Sequence, residues 1–104
     1  MVRRLPRSPE SAVMRNQVIR SVTSTAANYR SACRAQSPQA FITKLSIAIE
    51  ESDETLMWLN LIARLRLVQL QDVRPFAREA NEIVSVLVAS RKTAQERLKK
   101  SRNR

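Results

Sequence analysis

An all-α fold of three long amphipathic helices lying side by side is predicted by three features of this sequence. The chain contains no glycine and only four prolines, so it has few means of making tight turns, and long helices are favoured over a sheet. Ser8-Pro9-Glu10 and Ser37-Pro38-Gln39 each read as a capping serine followed by proline at the first helical position, where a missing N–H costs nothing. Apolar side chains then recur at alternating spacings of three and four.

The first helix is expected to start near residue 9. Its continuous face is Val18, Val22, Thr25, Tyr29, Ala32 and Gln36, flanked by Ile19, Ala26 and Cys33. The second starts near residue 38, with a stripe of Phe41, Leu45, Ala48, Ile49, Ser52, Leu56, Leu59 and Ala63. A third start is placed between Asp72 and Pro75, with Asp72 as cap, and its stripe is Phe76, Ala80, Ile83, Val84, Leu87, Ala94 and Leu98. The packing residues expected to matter most are Val18, Val22, Tyr29, Leu45, Leu56, Leu59, Ile83 and Leu87. The domain is taken as residues 9–98, preceded by a short basic segment at 1–8 and followed by a basic tail at 99–104.

The second helix carries a further set. Ile47, Trp58, Leu61 and Ile62 fall nearly opposite its main stripe, so a second partner surface is expected there. Three helices leave no further element in the chain to cover it, so self-association is favoured, with Trp58 as anchor and Glu54 beside it facing an arginine of a neighbouring chain.

Composition narrows the chemistry. At 104 residues the chain has room for one domain, and with 43% hydrophobic but only 4% aromatic residues its core must be aliphatic. Cys33 stands alone and there is no histidine, so no disulfide framework, metal site or usual general base is expected, and no cofactor. Cys33 is read as a buried free thiol. The arginine-rich start lacks the apolar stretch of a secretory signal and no run is long enough to span a membrane, which leads to an expected cytoplasmic location. The carboxylates Glu50, Glu51, Asp53 and Glu54 read as solvated or arginine-paired rather than as a di-metal pair.

The segment RSVTSTAANYRSACRAQ, residues 20 to 36, is dense in Ser, Thr and Ala. Its hydroxyls point in several directions with no base beside them, so a nucleophilic site is disfavoured. Small side chains there let helix axes approach closely, and threonine hydroxyls can bond back to the preceding turn. Arg20, Arg30 and Arg34 gather on the side away from the apolar face as a basic stripe, partly paired with the acids of the next helix.

The block RNQVIRSVTSTAANYRSACRAQSPQAFITKLSIAIEESDETLMWLNLI closely resembles a bacterial four-helix-bundle family first associated with open reading frames in intervening sequences of 23S ribosomal RNA genes. Gln17, Arg20, Ser21, Thr23, Ser24, Ala27, Asn28, Tyr29, Arg30 and Ala32 match the family pattern QLLRSGTSIGANYREA. Phe41, Ile42, Lys44 and Leu45 match S-x-x-x-FI-x-KL, and Glu51, Asp53, Glu54, Thr55, Leu56, Trp58 and Leu59 match KEADETLYWLELL. Val22 and Ala26 stand where the family pattern has glycine. The resemblance implies an antiparallel up-and-down helical bundle that assembles as a ring, a homopentamer, without enzymatic activity. It also implies kinship with the basic accessory protein of diversity-generating retroelements, which works with a reverse transcriptase. Only Met1 to Leu5 precede the L-P-x-S turn, so this chain is expected to lack most of the family's first helix and to expose apolar surface along the remaining bundle.

Charge gives the functional expectation. Residues 1–36 hold seven arginines against one glutamate, residues 91–104 seven basic residues against one glutamate, and the whole chain carries a net charge of +10. Such clusters neutralise phosphates with counterion release. The expected contacts with RNA or DNA are Arg20, Arg30, Arg34, Arg91, Lys92, Arg97, Lys99 and Lys100. The expected function is that of a non-enzymatic oligomeric adaptor that binds nucleic acid, with no membrane and no small-molecule substrate as partner. The competing expectation is a purely structural self-assembling bundle of unknown role, or a truncated non-functional member of the family.

Overall fold

The computed structural model describes Leu5 and residues 8–103, and among them it contains three α-helices and no strand. They are α1 (Pro9–Cys33), α2 (Pro38–Arg64) and α3 (Leu70–Arg102), joined by short connections that reverse the chain each time. The result is an up-down-up layer measuring 57 × 20 × 14 Å. α2 lies in the middle, with α1 and α3 packed along its two sides.

Both Ser-Pro starts form as expected. Ser8 and Ser37 sit in extended backbone and their hydroxyl oxygens accept the N–H groups of Ser11 and Ala40, each at 3.1 Å. These bonds satisfy donors that the first helical turn leaves open. The third start differs from expectation. Gln69 is the capping residue and makes no side-chain cap, while Asp72 lies in the first turn and Pro75 inside the helix. Val73, only 1% exposed, docks this early turn into the core. A proline so near the N-terminus removes only the bond to the carbonyl four residues earlier, and the burial of Val73 outweighs that loss.

The core has two parts. At the end formed by the start of α1, the end of α2 and the start of α3, Leu5, Met14, Val18, Leu59, Ile62, Val73 and Ala80 cluster together. At the other end Ala32, Leu45, Ala48, Ile49 and Leu87 pack with Phe41. Small polar residues lie between them: Ser21 and Ser52 are buried, as is Thr55, whose hydroxyl donates to Ser21 Oγ at 2.7 Å across the α1–α2 contact. Ser21 in turn donates to the Val18 carbonyl at 3.2 Å. Thr25 bonds back to the Ser21 carbonyl at 2.8 Å and Asn28 to that of Ser24 at 2.9 Å. The hydroxyl-rich segment is thus a thin helix drawn close to its neighbour.

Several packing expectations are corrected. Val18, Leu45, Leu59 and Leu87 are buried and Leu56 packs against the core, but Val22, Tyr29 and Ile83 are 50%, 49% and 42% exposed. The buried stripe of α1 is Ser11, Met14, Val18, Ser21 and Ala32, rotated from the larger side chains toward the smaller ones. Close approach to α2 selects the small residues, and among the described residues the Val22/Tyr29 side stays about half open. Gln36 lies beyond the end of α1, and Cys33 is exposed rather than buried. The boundary expected at residue 98 falls inside α3, which continues unbroken to Arg102. Most of the 1–8 segment, including Arg3, Arg4 and Arg7, lies outside the described residues, as does Arg104.

Candidate nucleic-acid interface

The up-down-up topology brings the end of α1, the start of α2 and the end of α3 to one pole of the rod. Leu98, Lys99 and Arg102 line the same shallow depression as Gln39 and Ile42, which fixes this alignment. Residues 30–45 and 91–103 therefore share the pole, with nine cations against one carboxylate, Glu96. Along α3 these charges span about 18 Å of helix.

The predicted contacts separate into two groups. Arg30, Arg34, Lys92, Arg97, Lys99 and Lys100 stand exposed at the pole, and Arg91 is half-buried there, its Nη1 donating to Ser46 Oγ on α2 at 3.3 Å. Arg20 lies elsewhere. It is about 15 Å up the helix from Arg30. Its Nη1 pairs with Glu51 at 3.1 Å and its Nη2 with Glu54 at 2.5 Å, while its Nε donates to Gln17 at 3.0 Å. Glu54 also accepts the Trp58 indole N–H at 3.2 Å. Arg20 hydrogen bonding, aided by that of Trp58, holds the Glu54 carboxyl below its ordinary pKa, and the Arg20 guanidinium is raised in return. Arg20 is thereby a clamp between α1 and α2.

The proposed interface residues are likewise redistributed. The arginine facing Glu54 belongs to the same chain, and Ile62 is fully buried in the core of its own chain. Ile62 lies about 75° from the centre of the buried face of α2, and a helix flanked on two sides has a face wide enough to include it. Ile47, Trp58 and Leu61 are half-buried. Lys44 also stands at the pole, with Arg102 of the basic tail, although the sequence pattern did not single Lys44 out as a contact. The antiparallel order of the helices was the signal that could have found it, since it carries the start of α2 to the same pole as the end of α3.

An open apolar groove runs between α1 and α3, with Ser52 and Thr55 of α2 in its floor and a volume of about 580 Å³. Val22 and Tyr29 form one wall and Ile83 and Val86 the other, with Phe76 at one end. No group of three or more His, Cys, Asp or Glu side chains that could hold a metal occurs among the described residues. No helix among them is long and apolar enough to cross a membrane.

A layer of three antiparallel amphipathic helices with a basic pole defines a helical-bundle protein. Residues 1–89 match the model of the 23S rRNA-intervening sequence protein family, and the chain belongs to that family. Among solved structures it is similar to a protein of unknown function from the S23 ribosomal protein family of Bacteroides thetaiotaomicron VPI-5482. That likeness is at 39% identity over 77% of this chain and 74% of the other, with a TM-score of 0.74. No functionally curated protein matches the sequence.

Proposed function

We propose that this protein is a non-enzymatic, cytoplasmic helical adaptor whose basic pole binds the phosphate backbone of RNA or DNA. The observation that carries this reading is the gathering of two sequence-distant basic segments, the end of α1 and the end of α3, at one end of the rod. Exposed lysines and arginines with a single carboxylate among them attract a polyanion whatever its sequence, through counterion release. The family name, which refers to a segment of ribosomal RNA genes, is consistent with a nucleic-acid context. The same reading has the chain working as an assembly, because several poles held together multiply the attraction through avidity.

The test is fluorescence anisotropy with a labelled RNA oligonucleotide at several salt concentrations, comparing the native chain with Lys99→Glu/Lys100→Glu/Arg102→Glu. Reversal of three exposed charges is expected to weaken binding at least tenfold and to make the salt dependence shallower, by about 0.7 to 0.9 in log–log slope for each phosphate that is no longer neutralised. Arg20→Gln is expected to leave that slope unchanged, because its guanidinium is already neutralised within the chain. Unaltered binding by the triple variant would remove the pole from the reading and favour a self-assembling structural bundle whose charge serves solubility.

A further inference from the structure

The seam between α2 and α3 at the basic pole holds a shallow depression of about 350 Å³, lined from α2 by Gln39 and Ile42 and from α3 by residues between Gln95 and Asn103. That volume lies at the lower end of what small-molecule sites occupy. At 100° per residue Gln95, Leu98, Lys99 and Arg102 lie about 160° around α3 from Glu79, Glu82, Ile83 and Val86, so the depression opens on the other side of the layer from the apolar groove. Arg91, one turn before Gln95, is pinned to Ser46 across the same seam and holds the two helices in register there.

Three kinds of side chain meet there. Ile42, only 6% exposed, and the half-buried Leu98 give an apolar floor. Lys99 and Arg102 stand exposed on the α3 side, and Glu96, the one carboxylate of the pole, is not among the lining residues. The exposed carboxamides of Gln39, Gln95 and Asn103 complete the rim from both helices. A phosphate only accepts hydrogen bonds, so the two cations suffice for it, and neither carboxamide oxygens nor an apolar floor have anything to offer it. A nucleobase differs on both counts. Its flat body leaves water when it rests on aliphatic carbon, and its edge carries donors and acceptors that a carboxamide matches in pairs.

We propose that this depression receives one unpaired base of a nucleic-acid strand whose phosphates lie on Lys99 and Arg102, with Gln39 and Gln95 bonding to the edge of the base. The site rests on the reading of the pole as a phosphate-binding surface and adds to it a preference for single strands. Paired bases are held in the stack with their edges occupied, whereas bases of a single strand splay out and present theirs. Contact with the base releases no counterion, so it adds affinity without changing the salt dependence that the phosphates impose.

Fluorescence anisotropy on the full, nuclease-treated chain tests this with two labelled oligonucleotides of equal length, one carrying bases and one abasic throughout, each made in RNA and in DNA. The two strands present the same phosphates, so phosphate binding alone does not tell them apart. In at least one of the two backbones the native chain is expected to bind the base-bearing strand about tenfold more tightly than the abasic one, the worth of one or two neutral hydrogen bonds. Gln39→Ala combined with Gln95→Ala is expected to bring the two affinities together with the salt slope unchanged. Helical circular dichroism should be retained, since both side chains are exposed and outside the core. Binding of a duplex should be the same for the native and variant chains, because paired bases do not reach the depression. Equal native affinity for base-bearing and abasic strands overturns the base site and leaves the phosphate reading standing. A double variant that still tells the strands apart, or that loses duplex binding to the same extent, also overturns it. Binding of neither strand removes the phosphate reading and the base site with it.

Discussion

Arg66 occupies the left-handed region at φ 55°, where a side chain's Cβ crowds the following carbonyl. The position is fixed by the end of α2: the Arg66 N–H bonds to the Ala63 carbonyl at 3.1 Å, and the Leu67 N–H reaches back to Ile62 at 3.2 Å. This is the Schellman arrangement that most chains build with glycine. Arg66→Gly is therefore expected to stabilise the fold by about 1 kcal/mol, raising the thermal midpoint by roughly 4 to 8 °C in a chain of this size. Thermal unfolding followed by circular dichroism checks it, and Arg66→Ala, which keeps the Cβ, should show no such gain. The buried hydroxyls offer a second residue-scale test. Thr55→Val leaves the Ser21 hydroxyl without a cross-helix partner and should cost about 1 kcal/mol, whereas Thr55→Val combined with Ser21→Ala should cost less than the sum of the two single changes. Additive losses in urea unfolding would show that the bond between the two hydroxyls contributes nothing of its own.

Between elements, the α1–α2 contact combines close packing of small side chains with a charged clamp at its rim. Arg20, Glu51 and Glu54 are all partly solvated, so the clamp adds modestly to stability and is weakened by salt. Its pH signature is nonetheless specific. The Glu54 carboxyl is held below its ordinary pKa in the folded chain by Arg20 and Trp58, so its contribution is present above the pKa of the unfolded chain and is lost as pH falls through the lowered folded value. Glu54→Gln is expected to lower the thermal midpoint near neutrality and to flatten its decline on the acid side. Equal acid slopes in the native and variant chains would show that this carboxylate is not coupled to folding.

At the scale of the whole molecule, topology turns two separate basic stretches into one pole and leaves one apolar groove open. Salt dependence of RNA binding reports on the first. Much of this fold was legible beforehand. Two Ser-Pro starts, the absence of glycine and the spacing of apolar residues located the first two helices, because caps and periodicity act within a few residues. The third start was misplaced because Val73 docks a turn that local signals assign to a loop. Val22, Tyr29 and Ile83 have the spacing of core residues, yet spacing reports only which side chains share a face.

The sequence by itself determined that this protein is helical and strongly basic, and that it lacks histidine chemistry and a disulfide framework, because these follow from composition and from interactions within a few turns. Only the tertiary structure decided which faces are covered. It placed Ile62 in the core, drew Arg20 onto Glu54 within one chain, brought Arg30 to the same pole as the end of α3, and left Val22 facing Ile83 across an open groove. The physical reason is that burial and charge pairing depend on which elements approach each other, and that choice is made by side-chain volume and chain reversal together, over separations that no local pattern records.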